Sequence, residues 1–211
     1  MLGFSAFAVA IGVASPVHAQ SNDGVLASAA QCLERHDEID AVLDGLQDEG
    51  WIVSTPVTDD VVNALAWNLI ARYFAGDSGG ASLQDIYDLQ QTTMRAYVNK
   101  QDIPASKSRV LTRDTDAVHV LWRKNIAKVI EIECRFVVDA PRMQDIRADA
   151  GFASDAGQDF VALPDTNNSQ GHAQNIIQIT LLNRKALAQQ IGQPVPVDAI
   201  IHTYQSFGFQ E

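Results

Sequence analysis

The chain has 211 residues, of which 46% are hydrophobic and 19% are charged, and its formal net charge at pH 7 is −11. These values are typical of a folded globular domain and exclude an intrinsically disordered chain. The negative charge repels phosphate backbones and anionic lipid surfaces, which argues against nucleic acid as a partner.

The first nineteen residues have the pattern of a signal peptide. An apolar run over residues 2–14 is followed by Pro16 and by small residues near Ala19, as signal peptidase requires. The run is shorter than the roughly 20 apolar residues that span a bilayer, and no later stretch comes close, so the sequence predicts no membrane insertion. We expect cleavage between Ala19 and Gln20, and a soluble domain of residues 20–211 that is periplasmic or secreted.

The first half of the mature chain has helical periodicity. Apolar residues at three- and four-residue steps predict one helix over about residues 25–49. Thr58 is predicted to cap a second helix. Ser82 is predicted to cap a third, because Asp85 stands three positions later and completes a capping box.

The second half alternates between apolar and polar residues, which predicts antiparallel strands half exposed to water over residues 110–113, 118–123, 130–138 and 176–182. A short helix is expected between Asp139 and Gly151, and another between the cap Asn183 and Gly192. The predicted fold class is α+β. The N-terminal helices would pack on one face of a meander-like antiparallel sheet, with further helices at the C-terminus.

Cys32 and Cys134 are both expected to point into the core. Cys32 falls on the apolar stripe of the first predicted helix, and Cys134 falls on the apolar side of the longest predicted strand. In an oxidising compartment two inward cysteines of one small domain usually form a disulfide. The alternative is two buried thiols that act as small apolar side chains.

The segment Gly76-Asp77-Ser78-Gly79-Gly80 resembles the sequence around the nucleophile of chymotrypsin-like serine proteases. That family also implies a general-base histidine and an aspartate upstream, on a double β-barrel. The one histidine that precedes Ser78 in the mature chain is His36, which lies within a helical pattern. The segment lies between two predicted helices, where glycine, aspartate and serine form ordinary turns.

The same segment is similar to the first block of GDS-type lipases and esterases, which place an aspartate and a histidine close together near the C-terminus. Asp198 and His202 stand there at four-residue rather than three-residue spacing. The block that supplies an oxyanion donor in that family is absent. An ester hydrolase that uses Ser78, Asp198 and His202 is therefore the alternative function.

The sequence predicts no metal site and no cofactor. His36 and Asp40 are one helical turn apart, but zinc requires three or four ligands. Residues 165–169 resemble the start of a calcium loop, but the glycine and the closing glutamate of an EF-hand are missing. A packed histidine and a polar turn explain these residues better.

Two polar regions are candidate binding sites. The first is an acidic helix face, because like charges at steps of three and four residues repel one another unless water or a basic surface meets them. It consists of Asp37, Asp40, Asp44 and Asp48. The second is the aperiodic stretch 152–174, with Asp165, Asn167 and His172. The leading hypothesis is a non-enzymatic domain that binds an envelope protein or a small ligand.

Overall fold

The computed structural model describes residues 24–74, 80–103, 105–139, 160–162, 166–170 and 173–208. The helices within these residues are α1 (Val25–Gln31), α2 (Ile39–Asp48), α3 (Asp59–Phe74), α4 (Leu83–Val98) and α5 (Arg184–Ile191). The strands are β1 (Ile52–Val53), β2 (Ser108–Arg113), β3 (Asp116–Lys124), β4 (Val129–Val138), β5 (Phe160–Ala162), β6 (Thr166–Gln170), β7 (Ala173–Leu182) and β8 (Ala199–Gly208).

All strand pairs that the structure describes are antiparallel, so the predicted α+β class is confirmed. The strand order is β1-β2-β3-β4-β8-β7-β5, and β6 also pairs with β7. Strands β1 to β4 pair in chain order as a meander, and β6, β7 and β8 also pair in chain order. The last strand, β8, lies between β4 and β7, so the final strand of the chain is added inside the sheet rather than at an edge.

The helices cover both faces of the sheet, which corrects the prediction of a single helix-bearing face. One apolar cluster joins α1 and α2 to side chains such as Val118 and Phe136. A second cluster joins α3, α4 and α5 to the alternate strand positions, such as Val137 and Ile200. The α3 layer is anchored by Asn68, whose side-chain amide donates to the carbonyl oxygen of Phe136 at 2.9 Å.

The predicted helix over residues 25–49 is two helices. In the connection, the backbone carbonyl of Leu33 accepts a hydrogen bond from the Gln205 side chain. The carbonyl of His36 accepts one from the Trp122 indole at 3.3 Å. A continuous helix would use both carbonyls internally, so contacts with distant strands replace that part of the helix.

Cys32 and Cys134 lie at disulfide distance, with a Cα–Cα separation of 6.2 Å, and both are fully buried. The pair connects the end of α1 to the middle of β4. The α1–α2 layer is therefore tied covalently to the central sheet. The apolar stripe that contains Cys32 and the apolar strand side that contains Cys134 predict this pairing.

The predicted helix ends follow local chemistry. Ser82 and Asp85 form the expected capping box of α4. The side chain of Asn183 accepts from the backbone of Ala186 at 3.1 Å, and Gly192 ends α5 with a φ of 68°. Of the helices predicted in the second half of the chain, the structure describes α5, and strand β8 follows it.

The helix predicted between Asp139 and Gly151 lies outside the described residues. Among the helices that the structure does describe, none combines the length and the apolar character needed to cross a lipid bilayer.

Candidate functional site

The sheet face that carries α3 changes from apolar to polar along its strands. Residues directly opposite each other in antiparallel strands share a face, so the registers define rows across the sheet. Next to α3 the row contains Ala117, Val137 and Ile200. The following rows are mostly polar, and we call them the polar half-face. Its polar members are His119, Arg123, Glu131, Glu133, Arg135, Gln174, Gln178, His202, Tyr204 and Ser206.

A buried carboxylate organises the charged part of the polar half-face. The Glu133 carboxylate accepts from His202 Nε2 at 2.8 Å and from the Arg135 Nε at 3.1 Å. The exposed guanidinium of Arg123 reaches it from the rim at 3.1 Å. Glu133 and Arg135 are each only 4% exposed. Such an ion pair loses much of its Coulomb energy to desolvation, so its main consequence is a fixed arrangement of donors and acceptors.

Apart from Arg123 and Glu131 near the rim, burial decreases across the polar half-face from β3 and β4 towards β7. On β7 and β8 the side chains are partly exposed, and most of them are uncharged. Burial raises the pKa of Tyr204, so this phenol keeps its proton at neutral pH. The exposed strip therefore offers hydrogen-bond donors and acceptors on two paired strands. Its members are Gln174, Gln178, His202, Tyr204 and Ser206.

A serine–histidine pair lies on β2 and β3, on the buried side of the polar half-face. Ser108 Oγ and His119 Nε2 are 2.8 Å apart, and the Tyr97 ring lies 5.0 Å from the imidazole, centroid to centroid. Burial, with a further contribution from the Arg135 charge, lowers the pKa of His119 to about 3. The imidazole is therefore neutral at physiological pH.

This pair lacks the parts of a hydrolytic centre. His119 is 0% exposed, and its Nδ1 has no hydrogen-bond partner among the described residues, so no carboxylate orients the ring. A base with a pKa near 3 takes up a proton poorly at neutral pH. The arrangement holds a neutral histidine that the described residues bury completely.

The depressed pKa of His119 predicts a pH dependence of stability. Between about pH 6.5 and pH 3, the unfolded chain binds a proton at this position and the folded chain does not. The free energy of unfolding therefore falls as the pH drops through this window, by up to roughly 1.4 kcal/mol per pH unit. His119→Gln should show a shallower slope than the wild type in urea titrations from pH 6 to pH 4. Ser108→Ala keeps the buried imidazole and should keep the slope; parallel profiles for His119→Gln and the wild type would refute the assignment.

The chain has no significant match to a family model, to a curated protein or to a solved structure. No relative therefore indicates a role for any residue. The polar half-face is a candidate site because of its geometry alone.

The residues of the alternative esterase are not brought together where they are described. Asp198 binds Arg184 at 3.0 Å, and burial raises the pKa of its carboxyl. His202 binds Glu133 instead. Asp198 precedes β8 and His202 lies within it, so at least three residues of strand, about 10 Å, separate them. Ser78 lies outside the described residues.

The acidic face remains exposed to solvent. Asp40, Asp44 and Asp48 project from α2, and Asp37 lies in the connection before it; all four are exposed. Within the described part of the chain they form no ion pair, so they do not dock onto the basic residues of the sheet. A solvated face explains them without a ligand.

The late polar stretch is partly a β-hairpin. Residues of β6 pair with β7, with Asn167 opposite Ile176. Asp165 and His172 lie outside the described residues. Strand pairing accounts for the missing helical period at residues 166–170.

The metal candidates stay incomplete. His36 lies in the α1–α2 connection rather than within a helix, and its Nε2 is 3.3 Å from the Gln31 carbonyl oxygen. Over the residues whose positions are described, no three histidine, cysteine or acidic side chains are grouped as metal ligands.

The polar half-face is the region that sequence reasoning missed. Its residues alternate with apolar ones, and that pattern predicts a water-exposed strand face. His119, Glu133 and Arg135 are buried instead. The available signal was charge of both signs at alternate positions of one long strand, at Glu131, Glu133 and Arg135.

Proposed function

We propose that this chain is an exported, non-enzymatic binding domain that holds a polar small ligand or an envelope partner protein on its polar half-face. The observation that carries the proposal is the partly exposed strip on β7 and β8 beside the buried network around Glu133. Binding sites place a few polar groups on a rigid support. Strand β8 supplies that support because it pairs with β4 on one side and with β7 on the other.

The proposed compartment is the periplasm or the extracellular space. A pair of cysteines at disulfide distance fits an exported protein, because cytosolic thiols are kept reduced. The proposed leader is residues 1–19, removed between Ala19 and Gln20. These residues lie outside the described part of the chain, so this step rests on the sequence pattern.

Three purified variants of the oxidised domain, residues 20–211, separate the candidate surfaces. The first, Gln178→Ala with Tyr204→Ala, alters the polar half-face. The second replaces Asp40, Asp44 and Asp48 by lysine, and the third, Leu89→Ser, changes an exposed apolar residue of α4 as a control.

Each variant is compared with the wild type in recovery of ligands or partners from envelope extract, after circular dichroism has verified its fold. We expect the half-face variant alone to lose recovery by tenfold or more. Undiminished recovery by that variant would remove the polar half-face as the site. Loss confined to the lysine variant would place binding on the acidic helix instead.

A further inference from the structure

The end of β3 and the turn that follows it, residues 123–128, present an isoleucine to water; we call this segment the β3–β4 tip. Ile126 has the highest exposure among the large apolar side chains that the structure describes. The turn is ordered, because the Asn125 side chain accepts from the backbone of Ala127 at 2.9 Å and of Val129 at 3.1 Å. The Lys128 backbone donates to the Asn125 carbonyl at 3.0 Å. Ile126 is therefore held outward by a closed turn rather than exposed by fraying.

The charge at the β3–β4 tip is opposite in sign to that of the chain. Arg123, Lys124 and Lys128 flank Ile126, and residues 123–128 contain no acid. All six residues are exposed. Arg123 also contacts Glu133 at 3.1 Å. The net charge of −11 argues against lipid contact for the whole molecule, but locally the tip is basic and apolar.

We propose that the β3–β4 tip docks this protein onto an anionic lipid surface. Ile126 enters the boundary between headgroups and acyl chains, and Lys124 and Lys128 lie against the headgroups. Membrane-surface contact combines these two terms, apolar burial and attraction between basic side chains and anionic lipid. This inference is independent of the binding role proposed for the polar half-face.

The shape of the β3–β4 tip favours lipid over a protein pocket. A stable protein interface buries roughly 800 Å² on each partner. A convex turn of six residues, with one apolar side chain, supplies only a small part of that area. A lipid surface deforms around a single inserted side chain and needs no matching rim.

Acidic side chains elsewhere in the chain oppose the contact and make it weak. Their effect on exposed charges is screened beyond about 8 Å at physiological ionic strength. We therefore expect reversible binding that needs anionic lipid and weakens when salt screens the two lysines.

Vesicle sedimentation tests the proposal on the oxidised domain, residues 20–211. The probes are vesicles of phosphatidylcholine alone and vesicles with an equal share of phosphatidylglycerol. We expect the wild type to sediment only with the second kind. Ile126→Ser should lower partitioning about tenfold, and Lys124→Gln with Lys128→Gln should lower it by about tenfold or more. Leu89→Ser, which changes an exposed apolar residue on α4, should leave it unchanged.

Fluorescence gives an independent readout of insertion. In Ile126→Trp, the emission of the new indole should shift to the blue when anionic vesicles are added. In Leu89→Trp, the emission should not shift when the same vesicles are added. Equal sedimentation by the wild type and Ile126→Ser, or no sedimentation with phosphatidylglycerol, overturns the proposal. Loss of an envelope protein from pull-downs by Ile126→Ser, without vesicle binding by the wild type, also overturns it and identifies the tip as a protein contact.

Discussion

Replacing Cys32 and Cys134 together by alanine will lower the free energy of unfolding by about 4 kcal/mol. The two residues are 102 positions apart, and closing a loop of that length removes much entropy from the unfolded chain. Both side chains are fully buried, so the alanines also leave unfilled volume. Denaturation in urea, extrapolated linearly to water, measures the loss.

Removing the disulfide should reduce hydrogen-exchange protection in one layer of the protein more than in the other. The disulfide ties the α1–α2 layer to β4, so its removal should first reduce hydrogen-exchange protection of the α2 amides. Protection in α3 and α4 should fall less, because they pack on the other face. Wild-type protein reduced with dithiothreitol is the matched control; it should lose protection in the same place, with a smaller loss of stability because both sulfur atoms remain. A loss below about 1 kcal/mol, or equal loss of protection on both faces, would contradict a structural clamp.

Trp51→Ala will destabilise the fold by about 3–5 kcal/mol. The indole is 1% exposed, and its Nε1 donates to Ser28 Oγ at 2.8 Å. Its ring meets Phe136 edge-on at 5.5 Å between centroids, and the Arg113 guanidinium lies 4.7 Å from the ring centroid. Trp51 therefore contacts α1, the sheet and the Arg113 guanidinium at once.

Trp51→Phe separates the contributions to that effect. Phenylalanine keeps an aromatic ring but loses the indole donor to Ser28, and we expect a loss of about 1–2 kcal/mol. Urea denaturation at one pH compares the two variants. If Trp51→Ala cost no more than Trp51→Phe, the ring would not carry the packing that the α1–α2 layer depends on.

The features that the sequence could predict are local. Ser82 and Asn183 cap their helices through backbone groups three residues away. The inward positions of the two cysteines follow from the period of a single helix and of a single strand. Each of these inferences needs only neighbours in the chain.

The features that the sequence could not predict depend on distant contacts. The break between α1 and α2 involves Gln205 and Trp122, which are far along the chain. The central position of β8 and the division of helices between two faces depend on strand order, which hydrophobic period does not encode. The burial of Glu133 and Arg135 was hidden for the same reason, because alternation alone does not show which polar face becomes covered.

Intact-mass spectrometry of the chain as it accumulates in cells tests the central claim, that this protein matures in an oxidising compartment with its first helix layer clamped to the sheet. We predict a chain from the exported fraction that begins at Gln20, is two hydrogens lighter than its reduced form, and takes up an alkylating reagent only after reduction. A chain recovered from the cytosol with Met1 attached and two alkylated thiols would contradict it.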